Sequence, residues 1–395
     1  MALPMNVNGS KFPITLLINS LCEGGAERAM LTLSKKFVTQ GHVVTILTLT
    51  KNNFYEIPKG VEVVYLSEMN DKISGFFKMF YMPYHAWKLK KYIQNNKIDV
   101  VQSYLFRANF INLISGLFGA KHAVQVVNRS VVSRFFSEGF SGKINIFLMK
   151  YLYPRADFIV HISKQMKEDF NRHFFSTKNE KVIYNPYDVE AILTQANEEV
   201  KEFVFESHKR YLIAVGRFIP LKRFEDIIEI LSKLDSDIEL IFLGDGSQKE
   251  SLTVLARALS VENRVHFLGQ VKNPFKYIKR ADVFISSSQT EGFPNVLIES
   301  MLCRTMVVSS DCLSGPREIL SPKSDVSKRL LENVEKGEFG ILYPVGKVSC
   351  LVEAIREILK DDALRYAYEQ KAFNHAKLFS VENIAQKYKK VLNYV

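Results

Sequence analysis

Two carboxylates eight residues apart mark the segment Glu291-Gly-Phe-Pro-Asn-Val-Leu-Ile-Glu299 as a candidate ligand site. The segment follows an apolar run at residues 281–288, and a helix is predicted to begin near Asn295. Both acids then lie at the carboxyl end of a parallel strand, where open α/β sheets bind ligands. The helix directs its free N–H groups and its positive dipole end to the same place. Carboxylates that bind hydroxyls, beside N–H groups that bind phosphate, suit a nucleotide sugar.

The two acids also allow two other interpretations. In a glycoside hydrolase, Glu291 and Glu299 would flank the scissile bond from opposite sides, whereas here both are predicted on one side of the site. Alternatively, the acids only stabilise the positive end of the helix dipole. Their placement favours a ligand-holding role.

A basic loop is predicted in the same half of the chain. The strand of Ala214-Val-Gly-Arg-Phe218 ends at Gly216, and Arg217 and Lys222 follow before a helix that begins around Glu225. Arg217 can bind a phosphate through two N–H groups, and Lys222 adds a mobile charge. Together they would neutralise a diphosphate leaving group as its charge grows, which is a catalytic role. The alternative is that they only solvate the start of a helix.

Three more strand-to-turn segments contain glycine. Phe242-Leu-Gly-Asp-Gly246 includes Asp245, and Leu268-Gly-Gln-Val271 offers backbone groups to a nucleobase, although ordinary turns explain both equally well. Near the start, Leu21-Cys-Glu-Gly-Gly-Ala-Glu-Arg28 leads from a strand into a helix, either as a substrate-binding loop or as a tight turn with Glu27 near the helix start. It lacks the Gly-x-Gly-x-x-Gly pattern and the P-loop lysine, which argues against a dehydrogenase or an ATPase.

Strands and helices alternate along the chain. Apolar runs predict strands at residues 13–18, 43–49, 61–66, 99–102, 123–127 and 158–162, and then at 211–215, 238–243, 265–268, 283–286 and 306–309. Segments with helical periodicity lie between them, which predicts parallel sheets covered by helices on both faces. A polar, acidic stretch separates the two halves, with the boundary near residues 188–205. Two such halves imply a cleft between them, a common place for a ligand.

Composition is that of a soluble globular protein, with 47% hydrophobic and 24% charged residues among 395. No run of 18 apolar residues and no secretory signal occurs, so we expect a cytoplasmic protein. The four cysteines lack metal-site spacing and are interpreted as reduced packing residues. His161 ends a strand and is interpreted as a packed, hydrogen-bonded residue, and we expect no metal site.

Charge is distributed unevenly between the two halves. Residues 1–188 contain 24 Lys and Arg against 13 Asp and Glu, whereas residues 189–395 contain 29 of each. The whole surplus of +11 therefore lies in the first half and indicates an anionic partner. The segment at residues 75–92 mixes lysines with Phe76, Phe77, Phe80, Tyr81, Tyr84 and Trp87, as basic aromatic helices at membrane surfaces do. A core-packing helix is the alternative, and no nucleic-acid fold signature accompanies the segment.

The joint order of Gly24-Gly25-Ala-Glu-Arg28, Gly216-Arg217, Lys222 and Glu291 with Glu299 resembles the retaining glycosyltransferases of family 4 over nearly the whole chain. The resemblance implies the GT-B fold, an α/β architecture of two Rossmann-like domains facing across a cleft, with the last helix crossing back to the N-terminal domain. Residues 1–188, with about 378–395, would form the acceptor-binding, membrane-facing domain. Residues 189–377 would bind the nucleotide sugar.

The resemblance also implies roles for single residues. Arg217 and Lys222 would bind the donor diphosphate, Glu291 the donor-sugar hydroxyls and Glu299 the ribose hydroxyls. Arg217, Lys222 and Glu291 would be the catalytic residues. The full donor-binding set would be Gly25, Gly216, Arg217, Lys222, Asp245, Val271, Glu291, Gly292, Phe293, Asn295, Val296 and Glu299.

The acceptor side departs from the family pattern at one position. Gly24 and Gly25 would approach the acceptor, but the predicted fifth strand ends in Val127-Asn128-Arg129-Ser130, where many members have a histidine or an aspartate. Asn128 and Arg129 are therefore predicted to bind the acceptor rather than to act as a base. Retaining transfer can proceed by front-face attack, in which the leaving phosphate accepts the acceptor's proton.

Within the family, the chain looks most like bacterial enzymes that extend polyprenyl-diphosphate-linked glycans, such as α-N-acetylgalactosaminyltransferases. This implies a retaining transferase that needs no metal or cofactor and lies peripherally on the cytoplasmic face of the inner membrane. Its partners would be a UDP-sugar, a polyprenyl-diphosphate-linked glycan and the anionic membrane surface, but no nucleic acid. A module that binds nucleotide sugars or nucleic acid without catalysis is the alternative, as is an enzyme with a protein or soluble glycan acceptor.

Overall fold

The computed structural model describes residues 12–68 and 79–393, which divide into two compact units. The first unit comprises Met1–Pro186 and Val381–Val395, and the second comprises Tyr187–Ser380. The boundary predicted after residue 188 lies two residues beyond the observed one. The predicted returning segment, from about residue 378, begins three residues before the observed one.

The first unit is built on a seven-stranded parallel sheet in the order β3-β2-β1-β4-β5-β6-β7. Most of its strands are buried along their length, as expected for a parallel sheet covered on both faces. The strands are β1 (Pro13–Ile18), β2 (Val43–Thr48), β3 (Val61–Tyr65), β4 (Val100–Tyr104), β5 (Ala123–Asn128), β6 (Phe158–His161) and β7 (Glu180–Val182). The helices are α1 (Gly25–Thr39), α2 (Met82–Asn96), α3 (Phe106–Leu117), α4 (Gly139–Leu152) and α5 (Lys164–His173).

The second unit repeats this plan in the order β10-β9-β8-β11-β12-β14-β13, in which only the edge pair β13–β14 is antiparallel. Its strands are β8 (Arg210–Val215), β9 (Ile238–Leu243), β10 (Val265–Phe267), β11 (Val283–Ser286), β12 (Met306–Ser310), β13 (Glu335–Lys336) and β14 (Ile341–Tyr343). Its helices are α6 (Val189–Ala196), α7 (Phe224–Leu231), α8 (Lys249–Ala258), α9 (Phe275–Ile278), α10 (Asn295–Leu302), α11 (Pro316–Leu320), α12 (Val348–Lys360) and α13 (Asp362–Ala376).

The last helix, α14 (Val381–Leu392), packs in the first unit although it follows the second in sequence. Its apolar face is buried, and Lys36 of α1 forms an ion pair with Glu382 at 2.9 Å. The Gln125 side chain in β5 donates a hydrogen bond to the Val391 carbonyl at 2.7 Å. Two parallel-sheet, Rossmann-like units and the returning helix confirm the predicted fold class.

Each sheet has one place where the strand order reverses direction, between β1 and β4 in the first unit and between β8 and β11 in the second. Loops that leave two such neighbouring strands in opposite directions open a crevice at the carboxyl edge of the sheet, and ligands bind there. The Gly24–Gly25 loop follows β1. Lys222 follows β8, and Glu291 follows β11. The topology therefore brings predicted site residues to both reversal points.

Three elements differ from the sequence expectations. Strands β13 and β14 were not predicted, and only the end of β7, at Ile183, was expected; all three have two or three residues and show no clear alternation. The aromatic helical face was expected to be interrupted at Pro83, and a break is present there: residues 79–80 are helical, residue 81 is not, and α2 begins at Met82 with Pro83 in its first turn. Phe76 and Phe77 lie outside the described residues.

Candidate functional site

The carboxyl edge of the second sheet is closed by glycine turns that pack on one another. Gly216 follows β8, and Gly244 beside it accepts no side chain, since a Cβ on Gly244 would lie 2.0 Å from the Gly216 carbonyl oxygen. The Phe218 N–H donates to the Asp245 carbonyl at 2.9 Å, and the Gly244 N–H donates to the Gly269 carbonyl at 2.8 Å. Only glycine permits this spacing. The turns that contain Gly216, Gly244 and Gly269 are therefore hydrogen-bonded to one another next to the loop that carries Arg217 and Lys222.

Lys222 and Glu291 form the central pair of the site. The Lys222 Nζ lies 2.5 Å from the Glu291 Oε1, and the Ser288 hydroxyl donates to the same oxygen at 2.6 Å. Both side chains are mostly buried, with 22% and 15% of their surfaces exposed. The sequence predicted both residues as part of the donor site but not their direct contact.

The loops that carry this pair are tied to each other through the backbone. The Ser287 hydroxyl donates to the Lys222 carbonyl at 2.6 Å, and the Gln289 N–H donates to the Leu221 carbonyl at 2.8 Å. The basic loop is therefore held against the end of β11, and Lys222 keeps its position without depending on Glu291 alone.

A second loop supports Glu291 from the other side. The Glu291 N–H donates to the Leu313 carbonyl at 2.7 Å, and the Ser314 N–H donates to the Glu291 carbonyl at 2.9 Å. Gly315 has a φ of +101°, and a Cβ there would lie 2.5 Å from Pro294 Cδ. The loop at residues 313–315 thus fixes the path of Gly292 and its neighbours through backbone contacts that a side chain would disrupt.

A buried arginine anchors this supporting loop. Arg317 donates two hydrogen bonds to Asp311, at 3.1 and 2.7 Å, and a third to Glu335 at 2.8 Å. Arg317 and Asp311 are almost fully buried. Paired, hydrogen-bonded charges of this kind fix geometry, and removing one partner leaves a buried charge uncompensated.

Helix α10 begins beside Glu291, as the sequence predicted. Among the described residues no side chain caps this helix at Pro294, and the positive end of its dipole faces the site. Asn295 accepts a hydrogen bond from the Tyr187 hydroxyl at 2.8 Å. Phe293 is buried against Phe379, with ring centroids 5.8 Å apart. Val296 lies in the same first turn.

Glu299 and Arg217 lie in contrasting environments. Glu299, in the second turn of α10, is 3% exposed. Arg217 is exposed, and within the described residues no side chain or backbone group pairs with its guanidinium. Arg217 therefore extends from the carboxyl edge of the sheet, whereas Glu299 belongs to the body of α10.

Two predicted donor residues lie at the edge of this arrangement. The Asp245 side chain accepts from its neighbouring Gly246 N–H at 2.7 Å and lies 3.7 Å from Lys249, so it is occupied within its own turn. Val271 is half-buried after β10. The described contacts do not bring either side chain to the Lys222–Glu291 pair.

In the first unit, the glycine loop meets Arg129. The Arg129 guanidinium donates to the Gly25 carbonyl at 3.3 Å, and the Tyr55 hydroxyl donates to the Gly24 carbonyl at 3.2 Å. Glu27 turns back toward the start of α1, where its carboxylate lies against Gly24. Burial raises the pKa of the Glu27 carboxyl, although hydrogen bonds from nearby N–H groups and the charge of Arg129 act in the opposite direction.

Asn128 does not present its side chain to solvent, because it is 1% exposed and belongs to a buried hydrogen-bond chain. The Tyr153 hydroxyl donates to Asn128 Oδ1 at 3.0 Å, and Asn128 Nδ2 lies 3.4 Å from His161 Nδ1. His161 is therefore packed and hydrogen-bonded through Nδ1, as the sequence indicated, and its Nε2 lies 3.4 Å from Glu180 Oε2 without hydrogen-bond geometry. Burial lowers the pKa of His161, against the effect of Glu180.

Glu180 ends this chain in a cluster of donors. Burial opposes its ionisation, but its interactions with His161, Asn171 and Lys167 outweigh burial and lower the pKa of Glu180 to about 2. Asn171 Nδ2 donates at 2.9 Å, and Lys167 Nζ lies 3.3 Å away. The buried network of Tyr153, His161 and Glu180 thus fixes the Asn128 side chain at the end of β5, and Arg129 is the next residue in the chain.

A cavity of about 730 Å³ lies in the first unit, beside the reversal point between β1 and β4. Polar residues from the loops after β1, β2 and β4 line one part of it, namely Asn19, Ser20, Cys22, Glu27, Asn52 and Arg107. Sequence reasoning assigned no ligand role to Glu27 or Arg107. The sequence could have indicated a ligand role for Glu27, because this residue belongs to the Gly24-Gly25-Ala-Glu-Arg28 motif. It gives no such indication for Arg107, whose segment shows no motif.

Aromatic residues are exposed on two helices of the first unit, α2, which belongs to the segment predicted to contact a membrane, and α4. On α2, Trp87 is 43% exposed, and the Lys91 Nζ lies over its ring, 3.8 Å from the ring centroid. On α4, Phe140 and Phe147 are 71% and 60% exposed. Neither residues 79–98 nor residues 139–155 contain an acidic side chain. Exposed apolar groups among cations are the usual composition of an interfacial surface.

No helix in the described part of the chain is both long enough and apolar enough to cross a bilayer.

Comparison with known proteins supports the interpretation of both units. Residues 23–191 match the model of Glycosyltransferase Family 4, and residues 195–375 match that of Glycosyl transferases group 1. The N-acetylgalactosamine-N,N'-diacetylbacillosaminyl-diphospho-undecaprenol 4-alpha-N-acetylgalactosaminyltransferase of Campylobacter jejuni is 33% identical over 94% of this chain and 96% of its own.

Two further matches cover nearly the whole chain. A second Campylobacter jejuni protein, a GalNAc-alpha-(1->4)-GalNAc-alpha-(1->3)-diNAcBac-PP-undecaprenol alpha-1,4-N-acetyl-D-galactosaminyltransferase, is 24% identical over 96% of this chain and 98% of its own. The crystal structure of Anabaena HepE in complex with UDP aligns with a TM-score of 0.77 and 20% identity, over 98% of this chain and 100% of that one. With both matched domains in one chain, this protein belongs to the family 4 glycosyltransferases and has their GT-B fold.

Proposed function

We propose that this glycosyltransferase transfers an N-acetylhexosamine, with N-acetylgalactosamine as the first candidate, from a UDP donor onto a polyprenyl-diphosphate-linked glycan with retention of configuration. The observation that carries the proposal is the Lys222–Glu291 pair at the reversal point of the second sheet, beside the uncapped start of α10. The names of the two Campylobacter jejuni relatives support the sugar and the acceptor class.

The donor's diphosphate fits the positive groups of this site. Arg217 and Lys222 would bind its oxygens, and the N–H groups at the start of α10 would add uncharged donors directed to the same region. Glu291 would accept hydrogen bonds from the sugar hydroxyls while its contact with Lys222 fixes both side chains. Glu299 would bind the ribose hydroxyls. The UDP complex of Anabaena HepE, which shares the fold, supports a UDP donor.

The reaction assigned to this site needs no protein base. The bond between the anomeric carbon and the diphosphate oxygen breaks, and the acceptor oxygen bonds to the same face of that carbon. The acceptor proton passes to the departing phosphate oxygen. Lys222 and Arg217 would stabilise the charge that develops on the diphosphate, which is the largest single contribution in reactions of this kind. The cations would do this without a metal ion.

On the acceptor side, Gly24, Gly25 and Arg129 form one contact group in the first unit. Asn128 would act by holding Arg129 and the end of β5 in place rather than through its own buried side chain. The exposed aromatic residues and lysines of α2 and α4 support association with an anionic membrane, on the cytoplasmic face where nucleotide sugars are available.

A donor screen tests the proposal. Purified protein is incubated with each of several UDP-sugars and a short lipid-diphosphate glycan, in the presence of EDTA, and the glycan is analysed by mass spectrometry. The proposal predicts addition of one N-acetylhexosamine residue, undiminished by EDTA. Addition of a plain hexose alone would overturn the sugar assignment, transfer only to glycans without lipid would overturn the acceptor assignment, and loss with EDTA would overturn metal independence.

A further inference from the structure

We infer that the cavity of the first unit binds the isoprenoid-diphosphate end of the acceptor, with the diphosphate in its polar part and the first isoprene units in its apolar part. The inference rests on the proposed function for the class of acceptor. Its volume of about 730 Å³ falls within the ~300–1,000 Å³ of cavities that hold small ligands.

The position of the cavity supports a substrate rather than a packing defect. Its polar part is formed by the loops after β1 and β4, the two strands between which the order of the first sheet reverses. Asn19 follows β1, and Arg107 lies in the first turn of α3 directly after β4. Ligands of open α/β sheets bind at this point. The Gly24–Gly25 loop, proposed to meet the acceptor, also follows β1.

Charge in the polar part matches a diphosphate. Arg107 donates through Nε to Asn19 Oδ1 at 3.4 Å, so its guanidinium is directed to the loop after β1. Guanidinium groups bind phosphate oxygens in pairs. Glu27 is the only acidic residue that lines the described cavity, and its carboxylate is turned back onto the start of α1. The polar part therefore combines a guanidinium with amide and hydroxyl groups, which can all donate hydrogen bonds to phosphate oxygens.

The apolar part is built from two helices. Helix α4 contributes Phe140, Ile144 and Leu148, which follow one another at intervals of four residues and therefore lie on one face. Helix α3 contributes Phe106 and Phe110 from the opposite side. An isoprenoid chain is a flexible hydrocarbon with a methyl branch in each unit, and these five apolar side chains offer it contact, while Ser141 and Asn145 of α4 also line the cavity.

The outer surface of α4 indicates how a lipid would enter. Only Gly142, Met149 and Leu152 of this helix are buried, although most of its side chains are apolar. Phe147 and Tyr151 are exposed, with ring centroids 4.6 Å apart, and the helix also carries Lys143 and Lys150. Exposed apolar groups among cations are typical of helices that lie at membrane surfaces. The same helix thus lines the cavity and presents apolar groups outward.

The test compares two acceptors that carry the same glycan diphosphate, one on a farnesyl chain and one on a methyl group, in detergent solution without vesicles. The cavity variants are Ile144→Asn, Leu148→Asn and Phe140→Ala, the last at a side chain exposed enough to leave folding unaffected. The control variants, Leu117→Asn and Val254→Asn, replace apolar residues that are 54% and 58% exposed and lie outside the cavity.

We expect each cavity variant to raise KM for the farnesyl acceptor about tenfold, the loss that follows when one apolar side chain no longer contacts the lipid. KM for the methyl acceptor and for the UDP-sugar stays at the wild-type value, as do all constants of the two controls. Equal KM values for the farnesyl acceptor in wild type and cavity variants would overturn the inference while leaving the proposed function intact. If the wild type transfers sugar to neither acceptor, the proposed function fails and the inference falls with it.

Discussion

The contact between Lys222 and Glu291 places a cation and a carboxylate side by side in the proposed donor site. The two residues lie 69 positions apart, and hydrogen bonds from Ser288 and the backbone hold both in place. A mobile lysine would lose side-chain entropy on binding a phosphate, whereas this one is already oriented. The pair therefore positions a cation at the reversal point of the sheet before any substrate arrives.

Replacing Lys222 by alanine tests this role. We expect Lys222→Ala to lower kcat by about 10²–10³ at saturating acceptor, the usual effect of removing one group that stabilises developing negative charge. Lys233→Ala is the matched control, because Lys233 pairs with Glu229 on the surface of α7 and lies outside the site. An unchanged kcat for Lys222→Ala would remove this residue from the chemistry.

The buried network beneath Asn128 gives a pH-dependent prediction. The pKa of Glu180 is about 2 in the folded protein and about 4.5 when unfolded, so ionised Glu180 stabilises the fold above pH 4.5 and this contribution is lost as pH falls toward 2. We expect Glu180→Gln to reduce the free energy of unfolding by about 1–3 kcal/mol at pH 7.

The difference between wild type and Glu180→Gln should then shrink as pH falls from 4.5 toward 2, as measured by urea unfolding at a series of pH values. Glu138→Gln serves as the control, because Glu138 forms an exposed pair with Arg134 one turn away. A difference that stays constant down to pH 2 would show that ionised Glu180 has no such role.

Sequence reasoning proposed which residues form the site but did not predict their contacts. Arg217, Lys222 and Glu291 stand out because their motifs combine glycine turns with charge. The Lys222–Glu291 contact depends on which strands are neighbours, and one sequence does not reveal strand order. Arg107 shows no local motif, since its position after β4 matters only once β1 is known to lie beside that strand.

At the scale of elements, the loop at residues 313–315 is as important as the helix it supports. The Glu291 backbone bonds to Leu313 and Ser314, and Gly315 packs against the segment that leads into α10. This loop follows β12, the neighbour of β11 in the sheet. The start of α10 is therefore defined by an adjacent strand and not only by its own sequence.

Gly315→Ala tests this dependence. The added Cβ would lie 2.5 Å from Pro294 and would also force alanine to a φ of +101°, so the start of α10 must move. We expect kcat/KM for the UDP-sugar to fall about 10- to 100-fold. Gly139→Ala controls for backbone strain alone, because Gly139 has a φ of +60° with open space around it. Equal activity in both variants would contradict the proposed support of α10.

The long elements of the fold follow from hydrophobic pattern, and the short ones do not. Every predicted strand is present within a few residues of its expected limits, and most of them are runs of five or six residues between turns, which give a strong signal. Strands of two or three residues, such as β13, form only because a neighbouring strand offers hydrogen bonds. The break expected at Pro83 is present because proline is accepted in the first turn of a new helix but not in a helix interior.

At the scale of the whole molecule, the charge surplus of the first half belongs to the unit that carries the exposed aromatic residues. The second unit, with equal numbers of acids and bases after residue 188, carries the proposed donor site. This division matches a water-soluble donor and a lipid-linked acceptor. It was visible in the sequence because net charge requires no knowledge of the fold.

Flotation with vesicles tests the membrane surface. We expect binding to anionic vesicles at low salt, weakening as salt screens the charges, and little binding to neutral vesicles. Reversing Lys143 and Lys150 to glutamate should lower the partition coefficient at least tenfold, since each lysine contributes about 1 kcal/mol near such a surface. Reversing Lys233 and Lys249 in the second unit is the control. Failure of the wild type to float with anionic vesicles would remove the membrane from the proposal.

The central claim is that this family 4 glycosyltransferase forms a retained glycosidic bond from a UDP-N-acetylhexosamine to a lipid-diphosphate glycan. Nuclear magnetic resonance of the reaction mixture tests this claim most directly, because it follows the anomeric proton of the new linkage and the release of UDP together. We predict one α-linked N-acetylhexosamine formed for each UDP released. A β-linked product, or UDP release without a new glycosidic bond, would contradict the account.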